Sequence, residues 1–132
     1  MIRFADTYFY LAVLNPRDAA YGRAVALSQE LTGAIVTTEF VLLELADAMA
    51  RPPDRESFVR FCEQLRADAQ VEIVAASTQL WERGRELYAD RPDKEWSLTD
   101  CISFVAMKDR GITVALTGDY HFEQAGFVAL LK

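Results

Sequence analysis

The sequence predicts an α/β fold with a mainly parallel central sheet of about five strands, covered by helices on both faces. Three observations lead there. Short apolar runs alternate with longer helical patterns along the chain, as in βαβ units. The runs are mainly apolar, as strands buried on both faces are. The chain has 132 residues, 52% of them hydrophobic, enough for one core without staples.

Ile2–Ala5 is a short apolar run ending at Asp6 and reads as a buried strand. Thr7–Leu14 starts a helix that Asn15-Pro16 stops. Arg17–Leu31 is helical, with Ala20, Ala24, Leu27 and Leu31 at helical spacing, and Gly33 punctuates it. Ala34–Val36 is the second strand, and Thr37-Thr38 can cap the next helix. That helix, Glu39–Ala50, is apolar on nearly every face, so it is expected to be buried on most sides.

Arg51-Pro52-Pro53-Asp54 reads as a break. Arg55–Ala67 is amphipathic, with Phe58, Phe61, Cys62 and Leu65 on one stripe. Val71–Ala75 is the third strand, and Ser77 caps a helix to about Tyr88. Asp90–Glu95 is a polar loop, Ser97–Arg110 a helix, and Gly111 its stop. Ile112–Leu116 is the fourth strand, Tyr120–Gln124 a helical turn and Phe127–Leu131 the last strand. No repeat or low-complexity tract interrupts this order, and residues 1–132 read as one domain.

Charge and composition exclude several functions. A formal net charge of −6 argues against binding nucleic acid mainly through a large positive field. It leaves open a site where metal ions sit beside a phosphate. His121 is the only histidine, which excludes a multi-histidine zinc site. Cys62 and Cys101 are far apart, without a CxxC, and read as small core residues. Arg3 and Asp6 interrupt the first apolar stretch, and no signal-peptide pattern is present. No run approaches the roughly 18–20 apolar residues of a membrane span, so the chain reads as cytoplasmic.

Four acids stand out. In an open parallel sheet, ligands bind beyond the carboxyl ends of the strands. Asp6 follows the first strand and Asp119 the fourth. Asp100 opens the helix leading into the fourth, and Glu44 lies in the helix after the second. Singly, the three aspartates are also explained as caps, and Ser97-Leu98-Thr99-Asp100 fits a capping box. Glu44 resists that explanation. Its helical neighbours Phe40, Val41 and Ala48 are apolar, so its carboxylate should be partly buried and needs a partner, an arginine or a metal. Several ionised carboxylates share a small volume only if a cation joins them, and oxygen ligands suit Mg²⁺ or Mn²⁺.

At these residues the chain resembles the PIN-domain family, and within it the VapC-type toxins of type II toxin–antitoxin pairs. The segments "ADTYFYLAVLN", "VTTEFVLLEL", "KEWSLTDCISFVAMKDRGI" and "ALTGDYHFEQAGF" are similar to its four motifs, in order. The resemblance covers essentially the whole chain and implies a PIN-like three-layer α/β/α sandwich. It also implies an Mg²⁺- or Mn²⁺-dependent endoribonuclease that hydrolyses RNA phosphodiesters with metal-activated water. Asp6, Glu44, Asp100 and Asp119 would be the catalytic and metal-binding acids. Thr7, Ser97, Thr99 and Thr117 are adjacent and able to orient them. A homodimer and a cognate VapB-type antitoxin are implied as partners.

Gly118 reads as a minor variable position. His121 reads as a packing or phosphate-contacting residue, and Arg17, Arg51, Arg91 and Lys94 as basic candidates for RNA contact. Two other functions compete. A receiver-like signalling domain needs an acidic pair after the first strand, and Asp6 stands alone. A PIN-like binding or scaffold protein without activity would lack an acid, and none is missing.

Overall fold

The computed structural model describes residues 1–30 and 32–132. Its elements are β1 (Arg3–Ala5), α1 (Thr7–Leu14), α2 (Tyr21–Glu30), β2 (Ile35–Thr38), α3 (Glu39–Ala48) and α4 (Pro52–Ala67). Next come β3 (Val71–Val74), α5 (Thr78–Asp90), α6 (Leu98–Asp109), β4 (Val114–Leu116), α7 (Tyr120–Gln124) and β5 (Val128–Ala129). The five strands form one sheet in the order β3-β2-β1-β4-β5, and every pairing is parallel.

This order determines where a site can form. The chain runs outward from β1 to β2 and β3, then returns to the far side of β1 for β4 and β5. Parallel crossovers are right-handed, so the two directions place their helices on opposite faces. The result is the expected α/β/α sandwich, with its switch point between β1 and β4. Phe4 pairs with Val36 on one side and Ala115 on the other, and Ala5 pairs with Leu116. All five residues are buried, as a sheet covered on both faces requires.

Several boundaries differ from the sequence expectation, each for a local reason. The helix expected from Arg17 begins at Tyr21. The side chains of Asn15 and Asp18 accept hydrogen bonds from the amides of Arg17 and Ala20 and hold residues 15–20 in turns. Leu31, the expected end of that helix, lies outside the described residues. Strand β2 extends to Thr38, which pairs with Val74 and also caps α3 by accepting from the Val41 amide. Pro52 and Pro53 open α4 and do not interrupt it, because the first helical positions need no amide donor. Strands β4 and β5 are shorter than expected. The Ile112 amide is taken by the Met107 carbonyl as the chain leaves α6 through Gly111, whose φ is +65°.

Helix α3 is less covered than its composition implies. Val41, Leu42 and Leu45 are buried, but Leu43 is 59% exposed and Ala48 is also exposed. Both cysteines are free thiols. No described helix is long and apolar enough to cross a membrane.

Helices α5 and α6 meet at Gly84, where a Cβ would overlap Ile102 Cγ1 and lie 3.1 Å from Ile102 Cα. On a free helix, Gly→Ala stabilises by about 1 kcal/mol. Here overpacking dominates, and Gly84→Ala is expected to destabilise by about 1–3 kcal/mol. Thermal denaturation should show a lower Tm, and a raised Tm would mean that the two helices separate freely.

Candidate metal-binding site

Asp6, Glu44, Asp100, Asp119 and His121 line one cleft of about 360 Å³. It lies at the carboxyl ends of β1 and β4, the switch point, where diverging loops leave room for a ligand.

Asp6 is the N-cap residue of α1 but makes no side-chain cap hydrogen bond. Its Oδ2 accepts from the Thr117 hydroxyl at 3.0 Å, and its Oδ1 is buried without a partner. The same Thr117 oxygen accepts from the Asp119 amide at 3.0 Å. Thr117 therefore joins the two acids that follow the central strands. Asp119 Oδ1 accepts from the His121 amide at 2.9 Å and caps α7. Asp100 forms a reciprocal capping box with Ser97. The Ser97 oxygen accepts from the Asp100 amide at 3.0 Å, and Asp100 Oδ2 accepts from the Ser97 amide at 3.1 Å.

Each aspartate thus commits one oxygen to the chain and has no intrachain hydrogen bond described for the other. Capping and ligand binding are compatible at the same residue.

Glu44 is half-buried on α3, as its apolar stripe predicts. Among the described residues, no lysine or arginine forms a salt bridge with it or with the three aspartates. Among the described residues, the basic group at the aspartates is His121, whose Nδ1 lies 3.1 Å from Asp119 Oδ1 and 3.5 Å from Asp100 Oδ2. Neither contact has hydrogen-bond geometry. Asp100, Asp119 and His121 each offer a ligand atom, all within 4.8 Å of one another. Asp6 and Glu44 line the same cleft outside this tight group.

The four hydroxyl residues adjacent to the acids divide. Ser97 and Thr117 bond directly to acids. The Thr7 hydroxyl instead faces the Val41 carbonyl at 3.5 Å, tying α1 to α3. Thr99 makes no described side-chain hydrogen bond to an acid, since one helical step turns it about 100° from Asp100. Sequence reasoning missed Glu95, Tyr8 and the close fit at Gly118. Glu95 lines the cleft from the loop before α6. Tyr8 lines it from α1, with its ring over Gly118, where a Cβ would stand 2.5 Å from the ring. A side chain at Gly118 would push the exposed Tyr8 ring aside, a contact that no local sequence signal reveals.

The electrostatics are strained. Burial pushes the Asp6 carboxyl up to about 7, with the Asp100 charge adding to the effect and the Thr117 hydroxyl opposing it. Burial likewise pushes Asp100 up to about 6, against the Ser97 amide and with the charges of Asp119 and Glu44. An uncompensated carboxylate oxygen, a shortage of cations and hard oxygen donors all fit a divalent ion such as Mg²⁺ or Mn²⁺.

Comparison with known proteins agrees with this fold. The PIN domain matches residues 3–128. The 23S rRNA-specific endonuclease VapC20 of Mycobacterium tuberculosis is 30% identical over 125 residues, covering 95% of this chain and 95% of that protein. The crystal structure of Mycobacterium tuberculosis VapC20, a sarcin–ricin loop cleaving toxin, is similar with a TM-score of 0.88 at 28% identity, covering 98% of each chain. VapBC2 from Rickettsia felis, bound to a promoter DNA fragment, shares the fold at a TM-score of 0.67 and 15% identity, over 98% of this chain and 97% of that one.

The raised carboxyls set a pH dependence. Both acids have folded pKa values above their unfolded values near 4. Their contribution to stability is fully present below pH 4 and is lost as pH rises through about 6 and about 7. In EDTA at pH 8, Asp6→Asn should therefore be more stable than the parent protein, by on the order of 4 kcal/mol. At pH 5 most of that difference should vanish. Urea denaturation at the two pH values checks this, and an equal difference at both would contradict the assignment.

Proposed function

The chain belongs to the PIN-domain family, and we propose that it is a divalent-metal-dependent endoribonuclease, the toxin of a VapBC-type pair. The observation that carries this reading is the convergence of four acids, without a lysine or arginine partner, on the switch-point cleft. Asp6, Glu44, Asp100 and Asp119 would hold Mg²⁺ or Mn²⁺, directly or through water, with His121 within reach as a further ligand. When bound, such an ion acidifies a coordinated water and offsets charge building on a phosphate oxygen.

The chain's own part is preorganisation. Thr117 locks Asp6 and the Asp119 backbone in one arrangement, and Ser97 locks Asp100. Burial keeps these carboxylates poorly hydrated, which favours an incoming cation over water. It also makes protons compete with the ion as pH falls toward 6. No serine or cysteine nucleophile is needed.

RNA is the substrate class we assign, and a structured loop of 23S rRNA is the specific candidate. The support is likeness to VapC20, whose identity with this chain extends over nearly its full length. The partner we assign is a small VapB-type antitoxin. An apolar groove between α3 and α4, which includes the exposed Leu43 and Val59, supports a docking role for that face. A homodimer is the expected assembly, and the cytoplasm the expected compartment.

Purified protein with Mg²⁺ or Mn²⁺ should cut a cellular RNA pool into discrete fragments. EDTA or Asp100→Ala should abolish them. Thr117→Val should weaken metal affinity by about 10–100-fold while leaving the fold intact, because it removes support from the acids and not a ligand. No cleavage with either metal, in protein free of antitoxin, would leave a non-catalytic binding protein as the better reading.

A further inference from the structure

Next to the acidic cleft lies a second hollow of about 760 Å³. Its lining includes Tyr88, Arg91, Lys94, Glu95, Trp96 and Ser97. Glu95 and Ser97 line both spaces, so the two adjoin across the loop that enters α6. Their chemistry is opposite. One is lined by carboxylates, and the other carries two cations and two aromatic rings.

The second hollow is built around a fixed platform. Trp96 is buried, its Nε1 donates to Gln124 Oε1 at 3.0 Å, and its ring meets Phe104 edge-on at 5.1 Å. The Arg91 guanidinium lies 5.1 Å from the Trp96 ring centroid. Two hydrogen bonds from Arg91 to the Asp93 carboxylate, each 3.0 Å, fix its orientation. The Arg91 side chain remains 41% exposed. Tyr88 is 53% exposed at the end of α5. Lys94 Nζ lies 4.0 Å from Asp93, beyond hydrogen-bond range, and keeps its donors available.

We infer that this hollow binds the nucleotides flanking the scissile phosphate. Bases stack on the exposed Tyr88 ring and the Arg91 guanidinium, and a backbone phosphate faces Lys94. Unpaired RNA bases stack on just such aromatic and guanidinium planes, whatever their sequence. The charge balance points the same way. A polyanion approaching a cleft of acids on a chain of net charge −6 needs local cations, and Arg91 and Lys94 line the adjoining hollow, beside Asp93 and Glu95. The inference rests on the ribonuclease reading of the adjacent site.

The test uses a hairpin RNA carrying the 23S rRNA sarcin–ricin loop, with 4-thiouridine placed on either side of the loop. Ultraviolet crosslinking to Asp100→Asn protein, followed by peptide mapping, should place crosslinks within residues 88–97. In cleavage assays, Tyr88→Ala/Arg91→Ala/Lys94→Ala should raise KM by about tenfold or more, with kcat nearly unchanged. Lys94→Ala alone, at a surface position, should lower the salt dependence of binding by about 0.7 in log–log slope. A triple variant with parental KM, or crosslinks absent or mapping elsewhere, overturns the inference. Crosslinks at 88–97, together with a parent protein that cuts nothing with either metal, would keep the RNA-binding hollow and overturn the nuclease reading instead.

Discussion

The Thr117 hydroxyl donates to Asp6 and accepts from the Asp119 amide, each at 3.0 Å. This one group ties the ends of β1 and β4 together at the place where the sheet reverses its winding. Its position follows from the parallel register, which sets Ala5 beside Leu116 and so brings the next residues of both strands to the same edge. Without that register, Asp6 and Asp119 would be unrelated caps. With it, they face one cleft, and α3 and α6 bring Glu44 and Asp100 to it from either side.

The arrangement opposes the stability of the metal-free fold. Asp6 and Asp100 are both buried, and the Asp100 charge raises the cost of ionising Asp6 further. A chain selected only for stability would place an arginine here or replace the acids. This one instead fixes the carboxylates by short hydrogen bonds to one oxygen of each aspartate. Such a site resembles a socket held open, and in the proposed function a cation from solution would complete its ionised form. The neighbouring hollow differs in kind, since Arg91 pairs with Asp93 at the surface, Lys94 stands 4.0 Å from the same carboxylate, and Trp96 supplies a rigid floor.

Much of this was legible in the sequence because local signals and tertiary demands coincide. The apolar runs mark the strands because both sheet faces are covered. Ser97 and Asp100 announce the start of α6, and the apolar stripe around Glu44 announces its partial burial. Other features depend on contacts between distant segments. Nothing near Gly118 in the chain shows that the Tyr8 ring lies over it. The loop holding Glu95 reads as solvated, yet its path before α6 brings it to the cleft. Pro52-Pro53 resembles a break because the same pair interrupts a helix interior and begins a helix N-terminus. Leu43 reads as core from its neighbours, and only the packed fold shows that it faces outward.

We propose that four acids, distant in sequence, act together as one cation site. The most direct measurement is a Mn²⁺ titration followed by electron paramagnetic resonance, on the parent protein and on Asp6→Asn, Glu44→Gln, Asp100→Asn and Asp119→Asn. The expected result is saturable binding to the parent and weaker binding in every variant, with circular dichroism showing that each remains folded. Binding that is absent in the parent, or unchanged when these acids are neutralised, would contradict the claim.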